Sequence, residues 1–269
     1  MKIISHSEAS TYMDCPKKWD LIYNRGVKKS SPHLEFGVMA HKVLETGEIP
    51  DESLYPNLKE TFGISSWNNY FTNVLSELDK LLKEYTILDK ELKIKGDDNI
   101  VGVIDLVCKK DDKYYLFDYK FTSIEKDYMD IYLDEQLKLY AHLYSKKKWI
   151  DINKIYVGYI SIPKVELTKP IVLKNGKLSK NKSQCTTRDL FLQAITELGL
   201  EQSEYEDFLN DLKSYIHIVF SNADEKQCAK AVTNILNIAK TRNKDFILEQ
   251  VASIKCKNCE YLKECKYES

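Results

Sequence analysis

Three consecutive alternating runs in the middle of the chain constrain its fold more than any other feature. Residues 86–95, 99–109 and 113–121 are rich in Ile, Val, Tyr and Phe, and the acidic pairs Asp97-Asp98 and Asp111-Asp112 separate them. Alternation with period two, cut by short polar turns, marks half-buried strands. The runs therefore predict a three-stranded antiparallel meander. Helical patterns surround it. Ser5 or Ser7 caps a first helix that breaks near Cys15-Pro16, resumes through Trp19, and stops at Gly26. A second helix is expected over 34–46, with Gly47 past its end. Residues 48–65 read as loop. Leu75, Leu78, Leu81, Leu82 and Tyr85 then fall at helical spacing. After the meander the pattern predicts a helix over 130–147 and strands over 154–161 and 165–173, with Asn175-Gly176 as a turn. Helices over 187–198, 204–220 and 224–241 follow. This is an α/β chain. It shows no repeat and no dividing linker, so residues 1–269 are expected to form a single domain with helical additions at both ends.

Bulk charge does not point to a partner. The chain carries 40 Lys and Arg against 41 Asp and Glu, a net charge of −1. Local clusters are more informative. Lys164, Lys169, Lys174, Lys177, Lys180 and Lys182 are opposed only by Glu166, and Lys17, Lys18, Arg25, Lys28 and Lys29 form a second basic group. Each is either solvated surface or a phosphate contact. The N-terminus has no signal-peptide pattern and no apolar run approaches membrane-spanning length, so a cytoplasmic protein with no membrane partner is expected. In that setting clustered cysteines suggest metal rather than disulfides. Cys108 and Cys228 read as small core residues, and Cys185 is left unassigned.

The meander carries chemistry. Asp118 and Lys120 are two apart on a strand, which puts both side chains on one face and Tyr119 on the other. Asp105 sits on the preceding strand, and the turn between them can bring it beside Asp118. Two adjacent carboxylates repel, so the pair calls for a cation, and hard oxygen ligands suit Mg²⁺ or Mn²⁺. A lysine beside them can position a water and offset transition-state charge. Asp-x-Lys alone is common. Three neighbours sharpen it. Gly102 permits a close approach three residues before Asp105. His41 lies on a helix after Gly37. Gln136 and Tyr140 share one helix face at i,i+4 spacing.

This ordered set resembles the PD-(D/E)XK nuclease superfamily, in its RecB-type branch. That branch has Gly-x-x-x-His-x-x-Leu-Glu, Gly-x-x-Asp, Asp-x-Lys and Gln-x-x-x-Tyr, found here at Gly37 to Glu45, Gly102 to Asp105, Asp118 to Lys120 and Gln136 to Tyr140. The opening from Ser7 to Trp19, with Cys15-Pro16 inside it, resembles the family's entry helix. The resemblance implies a restriction-endonuclease-like core, a central mixed sheet flanked by helices, at about residues 34–165. It implies that Asp105, Asp118, the carbonyl of Tyr119 and His41 hold metal and that Lys120 is catalytic. Gln136 would orient Lys120 or substrate, and Tyr140 would contact a DNA phosphate or support its helix. Glu91, on the neighbouring strand, either points toward the site or lies at the surface, and the surface reading is preferred.

Cys256, Cys259 and Cys265 place three thiols within ten residues, among polar neighbours that do not make a core, and Cys15 would be the fourth ligand. The arrangement resembles the iron–sulfur nucleases of the same branch, including helicase-associated and CRISPR-adaptation nucleases, which implies a [4Fe–4S] cluster. Four thiolates also suit Zn²⁺. Residues 174–188 look like a segment of phage-type members and would touch DNA phosphates. The expected activity is a metal-dependent deoxyribonuclease, an exonuclease at DNA ends in recombination, repair or phage DNA processing. DNA would be its partner, with a helicase or single-strand annealing protein as a possible companion. The rivals are a structure-specific endonuclease and a non-catalytic DNA-binding protein that keeps the fold.

Overall fold

The protein is described by a computed structural model covering residues 3–96, 98–122, 124–241, 256–257 and 259–266. One six-stranded mixed sheet organises it, from β1 (Ile4–Ser5), β2 (Thr86–Lys95), β3 (Ile100–Lys110), β4 (Lys113–Phe121), β5 (Ile155–Ile162) and β6 (His217–Asn222). The meander β2–β3–β4 is antiparallel, as the alternation predicts. β5 adds in parallel to β4, and β6 pairs antiparallel with β5. β1 lies parallel to β3 at Ile100 and Val101, while β4 pairs with β3 only from Leu106 onward. The edge of β3 is therefore forked, and residues 102–105 lie in the fork.

Helices cover both faces. On one lie α1 (His6–Asp14), α6 (Tyr128–Leu133), α7 (Glu135–Lys148) and α10 (Glu225–Thr241); their apolar residues meet Ile104, Val107, Leu116 and Val157. On the other lie α3 (Pro32–Thr46), α4 (Pro56–Phe62) and α5 (Trp67–Leu82), packed on Leu106, Cys108, Phe117 and Ile160. A smaller cluster joins α8 (Arg188–Glu197), α9 (Glu206–Asp211) and Leu178. The short α2 (Pro16–Trp19) follows Cys15, and α11 (Leu262–Lys266) closes the described chain.

Four sequence expectations are corrected by the structure. The helix expected over 204–220 ends at Asp211, and β6 follows. Ile216, Ile218 and Phe220 face one core and Val219 the other, a period-two pattern in a β-branched segment. Gly158 lets β6 approach, since a Cβ there would lie 2.1 Å from the Val219 carbonyl oxygen. The strand expected over 165–173 is loop, with only a Val172–Leu178 bridge. Pro170 has no N–H to offer a ladder, and Glu166 is drawn aside to accept hydrogen bonds from Ser65 and Ser66. The helix over 130–147 is split at Asp134, which caps α7 by accepting from Leu137 N–H. Residues 48–65 contain α4, opened by Pro56 and closed by Gly63 in the left-handed region. Cys108 and Cys228 are buried core residues, as expected. No helix among the described residues is long and apolar enough to cross a membrane.

Candidate active site

Strand alternation breaks in the middle of the β2–β3 ladder, apart from the register shift between Ile87 and Asp89. Ile104 faces the α7 side and Leu106, two residues on, faces the α3 side. Opposite them on β2, Leu92 packs toward α7, while Lys90 donates to the Leu44 carbonyl on the α3 side. Between these pairs stand Asp105 and Glu91, and Glu91 has φ +49°. A non-glycine residue in that region costs about 1–2 kcal/mol, so both strands change face together at two carboxylates.

That break builds a cluster. His41 Nδ1 lies 3.4 Å from Glu91 Oε1 and 3.6 Å from Asp105 Oδ1. One ligating atom from each of the three lies within 4.8 Å of the others. Glu91 is thus no surface residue, and the left-handed backbone is the reason that simple alternation misplaces it. Its signal in the sequence is only an acid aligned with Asp105 in the antiparallel register. Asp105 Oδ2 accepts the Tyr119 N–H at 2.8 Å, tying the two prongs of the fork together. The Tyr119 ring is buried on the α3 side, facing away from Asp118 and Lys120.

On the α7 side, Lys120 Nζ lies 2.6 Å from Asp118 Oδ2, but Oδ2 accepts no aligned hydrogen bond and is buried. Asp118 Oδ1 accepts from Gln136 Nε2 at 3.3 Å, and Gln136 Nε2 also donates to Tyr140 Oη at 2.6 Å. Gln136 therefore holds Asp118 rather than Lys120. The Tyr140 ring is buried and packs on Gly102, where a Cβ would lie 2.6 Å from it. Lys120 also sits 5.7 Å from the Tyr159 ring centroid, and the Tyr159 hydroxyl donates to Asp134.

Electrostatics follow from burial. Burial and the neighbouring Asp118 push Asp105 up to about 7. Burial also raises Asp118, and Lys120 only partly opposes it. For Lys120 burial acts downward, but Asp118 outweighs it and the ammonium form is favoured. Burial lowers His41 while Glu91 and Asp105 raise it more, so its net direction is up. Two buried carboxylates held above the usual carboxylate range, beside an imidazole and a third carboxylate, fit a divalent cation. The cluster borders a groove of about 610 Å³ along α3, lined in part by Gly37, Val38, His41 and Glu91.

The chain ends meet elsewhere. Cys15 caps α2, its sulfur accepting from Lys18 N–H. Lys18 pairs with Glu260, Lys29 pairs with Glu264, and Tyr261 donates to the Val27 carbonyl. The basic group at 17–29 thus anchors the C-terminal segment. Burial, with Cys15, Cys259 and Cys256 nearby, raises the Cys265 thiol. The four thiols come near one another, but among the described residues only His41, Glu91 and Asp105 have ligating atoms close enough together to share a metal ion. The lysine-rich loop is engaged within the protein as well: Lys177 pairs with Glu204, Lys182 pairs with Asp211, and Lys180 donates to the Glu204 carbonyl.

Comparison with known proteins places the chain. A search of curated proteins finds no match. A solved structure described as "Putative exonuclease" from Eubacterium rectale is similar at 11% identity and TM-score 0.38, over 96% of this chain and 94% of that one. The sequence profile of the PD-(D/E)XK nuclease superfamily matches residues 3–266, a span that takes in every strand and helix described above, and the chain belongs to that superfamily.

Proposed function

We propose that this nuclease is a Mg²⁺- or Mn²⁺-dependent deoxyribonuclease that degrades DNA from its ends. The observation that carries the reading is the convergence of Asp105, Asp118 and Lys120 with His41 and Glu91 at a forked strand edge. A bound divalent ion would polarise the phosphoryl oxygen and acidify an attacking water. His41, Glu91, Asp105 and Asp118 would hold it, with the Tyr119 carbonyl as a further oxygen donor. Imidazole in the set favours Mn²⁺. Lys120, kept cationic by Asp118, offsets charge that develops on the phosphoryl group and orients water rather than removing its proton. Gln136 and Tyr140 fix Asp118 from α7.

Cys15, Cys256, Cys259 and Cys265 would bind a [4Fe–4S] cluster that joins the chain ends into one domain; zinc is the alternative ligand of the same four thiols. Its role would be structural, because the four cysteines belong to the segments that dock α11 against residues 15–29.

Digestion of end-labelled linear DNA and closed circular single-stranded DNA with Mn²⁺ tests the end requirement. Linear DNA should be degraded and circles should persist. Cleavage of the circles would make the protein an endonuclease.

A further inference from the structure

We propose that the cavity beside Gly102 of β3 binds one nucleotide of the substrate strand through its phosphate, a few nucleotides from the bond being cut. The proposal rests on the nuclease reading above. The cavity has a volume of about 530 Å³ and lies between the start of α1, strands β2 and β3, and α7. Lys93 and Lys95 of β2 and Lys147 of α7 line it, with His6 of α1. Lys147 donates to the Lys93 carbonyl, which brings the α7 lysine to the β2 edge.

Its charge is one-sided. The whole chain balances 40 basic against 41 acidic residues, yet no carboxylate is among the described residues that line this cavity. Lys93 and Lys95 share the face of β2 opposite Ile94, and Lys147 reaches the β2 edge from α7, so three lysines border the cavity with no acid in its lining to offset them, which concentrates anions. Burial lowers His6, so its imidazole offers a hydrogen bond rather than a charge. Ser5 and Ser7 also border it, and the remaining lining is apolar, with Ile94, Val103, Gly102 and the Tyr140 ring. A ligand with an anionic group and a flat or apolar body fits both parts, and a deoxynucleotide is such a ligand.

Position ties the cavity to the cleavage site. Gly102 precedes Asp105 by three residues on β3, about 10 Å at strand rise, or two to three nucleotides at duplex rise. Tyr140 belongs to both places: its ring lines the cavity and its hydroxyl binds Gln136, which holds Asp118. A strand seated here is therefore in register with the carboxylates.

The test is anisotropy with a fluorescein-labelled short single-stranded oligonucleotide and the full chain in EDTA, where no cleavage occurs. Three proteins are compared over a salt series: wild type, the triple variant Lys93→Ala/Lys95→Ala/Lys147→Ala, and a control triple at the far end of the sheet, Lys109→Ala/Lys110→Ala/Lys113→Ala. The cavity variant should weaken binding about tenfold or more at ~0.1 M salt. Its slope of log affinity against log salt should shrink by about 0.7 for each phosphate that is no longer neutralised. The control should bind like wild type. Oligonucleotides with 5′-phosphate and 5′-hydroxyl ends separate the two phosphate sources. If only the 5′-phosphate oligonucleotide loses affinity, the cavity holds a terminal phosphate; equal losses place an internal phosphodiester there. Wild-type affinity in the cavity variant, or an equal loss in the control, overturns the proposal. Cleavage by wild type on adding Mn²⁺ to the same preparation reports separately on the nuclease reading.

Discussion

Glu91 shows how a single backbone angle shapes the site. Its φ of +49° is a cost that glycine would not bear. Glu91→Gly is therefore expected to leave thermal stability unchanged or raise it by up to about 1 kcal/mol, while Mn²⁺ affinity by calorimetry falls at least tenfold. A clear loss of stability with metal affinity intact would make Glu91 structural. The buried carboxylates carry a second expectation. An unfolded aspartate titrates near 3.9, whereas Asp105 keeps its proton up to about 7. Its contribution to native stability is complete below about pH 4 and is lost as pH rises through about 7. His41, also raised, acts in the same direction. In EDTA the protein should melt lower at pH 8 than at pH 5, saturating Mn²⁺ should close most of the gap, and Asp105→Asn should flatten the profile. A metal-free melting temperature that rises from pH 5 to pH 8 would contradict this assignment of charge. Asp105, Asp118, Lys120 and His41 stand out in the sequence because short motifs mark them. Glu91 does not, because its placement depends on a left-handed residue that period-two reasoning cannot anticipate.

Elements were legible where one period dominates and opaque where a tertiary partner decides. The meander and α3 follow from alternation, Gly47 and helical spacing. β6 was hidden because its short run abuts α9, and its partner β5 lies more than fifty residues away in sequence. The α6–α7 break was hidden because Asp134 reads as a helix residue until its capping bond is seen. Gly102 is the element-scale counterpart of Glu91. It lets α7 lie close on β3, with the Tyr140 ring where a Cβ would otherwise be. Gly102→Ala should cost about 1–3 kcal/mol by overpacking, and it should reduce cleavage by displacing Tyr140 and Gln136 from Asp118. Combining it with Tyr140→Leu should restore stability, measured by thermal melting, but not cleavage. Unchanged stability in the single variant would show that α7 is not seated on β3 as described.

At the scale of the molecule, a restriction-endonuclease-like α/β core carries the chemistry while the two chain ends meet across Lys18–Glu260 and Lys29–Glu264. Protein prepared without oxygen should be brown and contain iron, and Cys15→Ser should reduce iron content as much as Cys259→Ser, with a lower melting temperature for both. Colourless protein with stoichiometric zinc would replace the cluster by zinc, and metal-free protein of full stability would remove both. Hydrolysis by the proposed mechanism requires both Asp118 and Lys120. The direct measurement is cleavage of end-labelled linear DNA with Mn²⁺ by wild type, Asp118→Ala and Lys120→Ala, alongside Mn²⁺ binding by each. Wild type should cut, neither variant should, and Lys120→Ala should still bind metal while Asp118→Ala binds it weakly. Cleavage at the wild-type rate by a folded Lys120→Ala or Asp118→Ala protein would contradict it.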